Sequence, residues 1–414
     1  MKTKERRESV IRVALAVVLL TILGLLIWQT GRAGFGSLLT TSAAQSNQIG
    51  RANAAVALGT GNPDSHYIRA TILQPNDPPG AIAEFYEAAL GRPDDYVLWL
   101  SLARASELNG DTAQAIAAAR QAIPLAPDYA EPHYQLGNIL LRAGQTVEAF
   151  KELRLAATSN PTLLPGIIDL GWRVSGRNVQ FVIDVLRPDN VAMYRALGQY
   201  FRQQNQVDAA IAMYLAGGTA TEPDRRSYMS ELINSQRYKE AARLWSVAGL
   251  APGVLSDPGF EQESELDRPG FGWRLGERPE GFRLSLDSNN PNSGQSCLKI
   301  EFEGESDPGR PVITQLALVE PGRNYRLRFA ARSEALVSGG FPKIAVIEAA
   351  TNVALGQSEQ FPATTDGWRE FTVDFATGQS TNAVQITLMR QLCQKSPCPV
   401  FGRLWLDSFS LQKI

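Results

Sequence analysis

Histidine and cysteine are scarce in this chain, and their scarcity excludes whole classes of chemistry. Only His66 and His133 occur among 414 residues. A histidine-based metal site or a histidine general base therefore has little to draw on. Both fall on segments with helical spacing, where a histidine beside a helix interface is the plain reading. The three cysteines, Cys297, Cys393 and Cys398, make a poor zinc site without matching histidines. Cys393-Gln-Lys-Ser-Pro-Cys398 is spaced to close a small loop as a disulfide in an oxidising compartment, leaving Cys297 as a lone thiol. Net charge is nearly absent too. Forty basic residues against 42 acidic ones leave −2, which argues against a phosphate-binding surface and hence against nucleic acid as the partner.

Catalytic signatures are missing as well. The chain has no G-x-S-x-G, no Walker loop, no H-E-x-x-H and no dinucleotide fingerprint. A glycoside hydrolase built on two carboxylates needs no histidine, but nothing in the sequence fixes such a pair across a cleft. The chain reads as a non-enzyme.

What is present is a repeat. Pro93, Pro127 and Pro161 recur every 34 residues. In the same register His133 answers Trp99, Leu136 answers Leu102, Ala149 answers Ala115 and Ala156 answers Ala122. A sustained period of that length is the mark of stacked helix pairs. The first copy reads Trp99, Leu102, Ala103, Ala115, Pro127, and the second His133, Leu136, Gly137, Ala149, Pro161. This stretch resembles the tetratricopeptide repeat (TPR) family. Small residues such as Ala115 and Ala149 belong where two helices cross closely. The prolines are read as ending the second helix of each pair.

The rest of the chain is arranged around that register. Residues 1–12 are a basic tail carrying Lys2, Lys4, Arg6, Arg7 and Arg12. Residues 13–28 are uncharged and dominated by Val, Leu, Ile and Ala, and extended to residue 30 they come close to the ~20 residues a bilayer span needs. They are expected to form a signal anchor with the N-terminus cytoplasmic and the bulk of the chain periplasmic or otherwise extracytoplasmic. A cleaved signal peptide is the competing reading. Residues 31–46, rich in Gly, Ser, Thr and Ala, are expected to be a flexible linker. The solenoid is expected over 47–250, opening on a worn repeat that Pro63 ends and closing on a pair that includes Trp245.

After residue 250 the pattern becomes alternation. Leu298, Ile300 and Phe302 alternate with Lys299 and Glu301, and Tyr325, Leu327 and Phe329 alternate with Arg326 and Arg328. Phe371, Val373 and Phe375, then Val384, Ile386 and Leu388, do the same. Period two between turn signals predicts an antiparallel β-sandwich, a jelly roll of eight or more strands over 251–414. The fold class is thus an all-α TPR solenoid followed by an all-β jelly roll, with one N-terminal transmembrane helix.

The series Asp257-Pro-Gly-Phe-Glu261, Gly272-Trp273, Asn292-Ser-Gly294, Pro321-Gly-x-x-Tyr325, Gly367-Trp368 and Leu406-Asp407-Ser408 resembles jelly-roll carbohydrate-binding modules of families 4, 9 and 22. The resemblance implies a structural Ca2+ held by Glu261 and Asp407, although Ser408 stands where the family often has a second Asp. It also implies an aromatic glycan platform, for which Trp273 and Trp368 are the candidates, with Phe271 and Trp405 behind them. The TPR resemblance implies a groove for a protein partner along the first helices, with Arg104, Asn138, Gln199 and Arg202 as candidate contacts. Two functions follow as expectations. One is a membrane-anchored scaffold for protein–protein interaction in envelope polysaccharide assembly or export; the other is a glycan-binding adaptor.

Overall fold

The computed structural model describes residues 2–245, 250–262, 270–275, 281–305, 307–393 and 398–414. By its packing the chain divides into two compact units, Met1–Pro188 and Asp189–Ile414.

The first unit is a series of antiparallel helix pairs. It begins with α1, Lys2–Ser46, a single helix of 45 residues. The flexible linker expected over 31–46 is therefore corrected: those residues continue the helix. The reason is packing. Gly36, Thr40 and Ala43 are buried along one face, at helical spacing and with side chains small enough for close approach. Thr40 Oγ1 lies 2.8 Å from Ser65 Oγ, and Arg32 donates to the Gly59 carbonyl at 2.7 Å. The lower half of α1 thus supplies the first helix of the first pair, and α2, Ile49–Ala57, the second. Over Ala14–Ile27 the helix is exposed on every side, and it is long and apolar enough to cross a membrane.

The regular pairs follow as α3, Pro63–Leu73, with α4, Pro78–Gly91; α5, Tyr96–Leu108, with α6, Thr112–Ala122; and α7, Ala130–Arg142, with α8, Thr146–Ser159. Pro63 opens α3 instead of ending α2, which suits its missing N–H at a first helical position. Asn62, Asp77, Asp95 and Asp111 each cap the helix that follows by accepting a backbone N–H, a role worth about 1 kcal/mol apiece. Ala115, Ala119, Ala149 and Ala156 are completely buried at the crossings. Gly137 sits in the tightest of these: a Cβ there would stand 2.7 Å from Leu153 Cγ. Trp99 fixes the entry to α5 by donating to the Pro93 carbonyl at 2.8 Å. The unit closes with α9, Leu164–Val174, and the shorter α10, Val179–Leu186.

The second unit contains two more helix pairs and the sandwich. The pairs are α11, Val191–Gln203, with α12, Val207–Ala216; and α13, Glu222–Asn234, with α14, Tyr238–Trp245. Among the described residues, ten strands then form two five-stranded antiparallel sheets. They are β1, Trp273–Leu275; β2, Phe282–Asp287; β3, Cys297–Glu305; β4, Ile313–Leu318; β5, Asn324–Ser338; β6, Pro342–Glu348; β7, Ala354–Gln357; β8, Arg369–Ala376; β9, Ala383–Arg390; and β10, Pro399–Lys413. One sheet runs β1-β4-β9-β6-β7 and the other β2-β3-β10-β5-β8. The alternating apolar residues of the sequence, Leu298, Ile300, Leu327, Phe329, Phe371, Val384 and Ile386 among them, meet in one core between the sheets.

The outer side of the first sheet is not left to water. Leu316 of β4, Ala345 of β6 and Thr387 of β9 point away from the core yet are buried, and α13 and α14 reach this side beside Leu316, which shares a cavity lining with Ile233 and Tyr238. Trp245 meets Phe271 edge to face at 6.1 Å, and Gln236 donates to the Ala350 carbonyl at 3.3 Å. Gly270 has no room for a side chain, since a Cβ would lie 2.6 Å from Met229 Cε. A cavity of about 240 Å³ remains at this seam, lined by Tyr238, Arg274 and Gln385 among others.

Candidate functional site

Two of the four groove candidates come together in the first unit. Arg104 of α5 and Asn138 of α7 line one cleft of about 370 Å³, with Glu107, Glu131, Tyr134 and Arg142. Residues four apart on a helix share a face, so Tyr134 and Asn138 project side by side, and Asn138 Nδ2 donates to the Tyr134 carbonyl at 2.9 Å. Charge alternates around the rim: Arg142 pairs with Glu107 at 2.5 Å and Arg104 with Glu131 at 3.9 Å. The cleft offers donors and acceptors of both signs, and Arg104, Glu131 and Arg142 are each more than half exposed. The sequence reading missed Glu107, Glu131 and Arg142. The 34-residue register could have found Glu107 and Arg142, which stand close to equivalent positions of successive repeats.

Gln199 and Arg202 belong to the second unit and are already engaged there. Gln199 donates to Asp224 at 3.2 Å, and Arg202 pairs with Glu231 and lies 5.2 Å over the Tyr228 ring. Their partners all sit on α13, so these two residues fasten helices to one another.

The two histidines are held alike. His66 Nδ1 lies 2.8 Å from Glu84 and His133 Nδ1 2.7 Å from Glu152, each pair joining the two helices of one repeat.

In the sandwich the candidate platform residues separate. Trp273 is completely buried. It stacks on Phe260 at 4.9 Å, meets Phe409 at 4.9 Å and donates its indole N–H to the Asp257 carbonyl at 3.0 Å. The expectation of a glycan platform at Trp273 is corrected: its ring lies inside the core, and no ligand reaches it. Phe271 is equally buried. Trp368 is half-buried on the outer side of the second sheet, its indole N–H donating to the Asn290 carbonyl at 2.9 Å. Trp405 lies on the same side but is only 4% exposed. It donates to Asp287 Oδ2 at 2.8 Å. Burial pushes the Asp287 carboxyl up, and this bond together with those from Asn289 outweighs it, so the group sits below its ordinary value.

Glu261 and Asp407 come close to one another around Gly259, whose Cβ would be 3.5 Å from one carboxylate and 3.6 Å from the other. All four of their carboxylate oxygens already accept backbone N–H groups. Gln295 donates to both oxygens of Glu261, Asn292 and Ser293 donate to Asp407 Oδ2, and Ser408 to Oδ1. Calcium takes six to eight oxygens, and among the described residues no group of three acids, histidines or cysteines gathers at metal-binding distance. The expected Ca2+ is therefore not supported by this donor set. Its two residues pin the 288–296 loop across β10. Burial, opposed by the amides of Ser293, Ser408 and Asn292, leaves the Asp407 carboxyl above its usual range.

Cys393 and Cys398 are joined by a disulfide. The fully buried Arg390 lies beneath it, donating to the Cys398 carbonyl at 2.7 Å and to Ser338 Oγ at 3.0 Å. Cys297 is free and buried, and burial pushes its thiol up to about 11, which makes it a structural residue.

No family model matches the chain, and no curated protein matches it. Parts of it are similar in fold to solved structures. PilF of Pseudomonas aeruginosa matches over 48% of this chain and 99% of its own, with 13% identity and a TM-score of 0.32. YrrB, described as a TPR protein with an unusual peptide-binding site, matches over 40% of this chain and 89% of its own, with 16% identity and a TM-score of 0.31. A family 4 carbohydrate-binding module matches over 39% of this chain and 100% of its own, with 13% identity and a TM-score of 0.30. At these identities the likeness is one of fold alone.

Proposed function

We propose that this protein is a membrane-anchored scaffold that holds an extended segment of a partner protein against the first helices of its repeats. The observation that carries the reading is the cleft between α5 and α7. Its loosest ion pair, Arg104 with Glu131 at 3.9 Å, is exposed. A surface pair of that kind contributes at most about 1 kcal/mol. A partner carboxylate can take the Arg104 guanidinium at little cost, while Tyr134 and Asn138 meet the partner's backbone.

The anchor is α1. Its side chains over Ala14–Ile27 are apolar except for Thr21, whose hydroxyl donates back to its own helix, and exposed on every side, an arrangement favourable in lipid and unfavourable in water. The basic residues ahead of it favour a cytoplasmic N-terminus, which puts the repeats and the sandwich in an extracytoplasmic space. A role in assembling or exporting an envelope polysaccharide is the finer form of this reading, and no catalytic step is assigned.

A photo-crosslinking residue at position 138 of the full chain, in membranes, tests the groove. Adducts are expected there and are expected to disappear on Arg104→Glu. Adducts indifferent to that change, or equally strong from position 151 on the second helix of the same pair, reject it.

A second reading is glycan binding by the sandwich, favoured by Trp368, half-exposed beside a guanidinium on the outer side of the second sheet.

A further inference from the structure

The outer side of the second sheet carries several cations, and most of them are paired. Arg283 holds Glu303 at 2.7 Å, Lys299 holds Glu301 at 2.8 Å, and Arg403 holds Glu334 at 3.3 Å. Arg326 grips both oxygens of Asp374 at 2.7 and 2.6 Å. Two cations on the same side are different. Among the described residues, Arg328 and Arg332 form no salt bridge and donate no side-chain hydrogen bond, although the Arg326 grip on Asp374, helped by the Arg328 charge, holds that carboxyl below its ordinary value.

Arg332 is held by rings instead. Strand register sets it directly opposite Trp405. Its guanidinium carbon lies 4.2 Å over the Trp405 ring and 5.6 Å over that of Trp368. Both indoles are fixed in turn, Trp405 by Asp287 and Trp368 by the Asn290 carbonyl. The Arg332 Nε–H is buried with no acceptor. A guanidinium held by aromatic faces keeps its charge and its planar fork of donors. That fork matches the two oxygens of a carboxylate. Beside it, the half-buried Trp368 presents the kind of apolar surface on which a sugar ring stacks.

Arg328 stands four residues along the same strand, about 13 Å away at the usual rise per residue. Only the small Ala330 lies between them on that side of β5, and Glu370 stands across from it on β8. The two guanidiniums form a low track along β5, longer than a single sugar covers, with Glu370 at its edge on β8.

We propose that this track binds an acidic polysaccharide, with one uronate carboxylate on Arg332, its ring against Trp368, and the polymer running along β5 toward Arg328. The proposal rests on the glycan reading of the sandwich and adds the charge of the ligand and the place where it lies.

The test uses the full chain in detergent, titrated with polygalacturonate, with a neutral galactan and with poly-glutamate. Polygalacturonate is expected to bind and to weaken steeply with salt. Arg332→Lys, which keeps the charge but loses the fork, is expected to weaken it at least tenfold, and Trp368→Ala similarly. Arg403→Ala, which removes a cation already paired, is expected to leave it unchanged. Unaltered melting temperatures show that the variants are folded, and intrinsic tryptophan fluorescence is expected to shift on binding. Equal affinity for the neutral galactan, or indifference to Arg332→Lys, overturns the acidic assignment while leaving the glycan reading intact. Equal affinity for poly-glutamate overturns the saccharide. No binding to either polysaccharide overturns the proposal and the glycan reading together.

Discussion

Gly198 lies against the ring of Tyr214 so closely that a Cβ at that position would stand 2.8 Å from Cε1. The same relationship joins Gly137 to Leu153 at 2.7 Å in the first unit. Both glycines occupy the place on a first helix where the second helix of the pair crosses it. Gly198→Ala and Gly137→Ala are each expected to destabilise the chain by about 1–3 kcal/mol, the cost of overpacking a close crossing. Gly166 in α9 has nothing within 4 Å of its would-be Cβ. There the same substitution is expected to be neutral or to stabilise by about 0.5–1 kcal/mol. Thermal melts of the three variants check the ordering. A Gly137→Ala protein that melts with or above the parent would show that the crossing is looser than described.

The cleft makes a charge-specific prediction. Arg104→Glu places two acids together at the rim by setting a carboxylate beside Glu131. Partner capture is expected to fall at least tenfold with no change in melting temperature, because the pair is exposed. Arg104→Glu combined with Glu131→Arg restores the local charges in reverse and is not expected to restore capture. Recovery in the double variant would mean that Arg104 serves the fold and not the partner.

Asp407 gives the sandwich a pH dependence of definite sign. Burial holds its carboxyl pKa above the ordinary value. A carboxyl that binds its proton more tightly when folded favours the folded state in acid. That contribution is complete below the unfolded value of about 3.9 and is lost as pH rises through the folded pKa. Asp407→Asn removes it. The stability difference between parent and variant, from denaturant midpoints across this interval, is expected to move against the parent as pH rises. A pH-independent difference would contradict the assignment.

The disulfide and the buried thiol are separable by labelling. Reduction, or Cys393→Ser, is expected to lower stability by about 2 kcal/mol, the usual cost of opening so short a loop. After reduction, Cys393 and Cys398 are expected to alkylate in the folded protein. Cys297, pushed up to about 11, is expected to react only in denaturant. Mass spectrometry of alkylated peptides reads all three positions. Rapid labelling of Cys297 in the native chain would place it nearer the surface than the core.

The repeats were legible because their physics is local and periodic. Ala115, Ala149, Leu102 and Leu136 keep a register that only stacked helix pairs require, and all four are buried. The strands were legible for the same reason, since Leu298 to Phe302 and Tyr325 to Phe329 alternate with charged neighbours. Two things were not. Residues 31–46 have a linker's composition, and their small side chains become a packing face only once Ser65 is brought alongside. The fates of Trp273 and Trp368 were also hidden, because both follow a glycine, one at the first residue of a strand and the other just before one, and nothing in either short motif tells core from surface. The ring cage around Arg332 depends on cross-strand register between β5 and β10, which no single segment reveals.

One consequence of α1 concerns mechanics. Since the same uninterrupted helix is apolar and exposed at one end and packed beneath α2 and α3 at the other, there is no slack hinge between its apolar stretch and the first repeat. A turn of the apolar portion about its axis must turn the docked portion with it. At about 1.5 Å of rise per residue, adding or removing residues between Trp28 and Arg32 would rotate as well as lift the first repeats relative to the apolar stretch, so the bearing of the groove on that stretch is set by residue count.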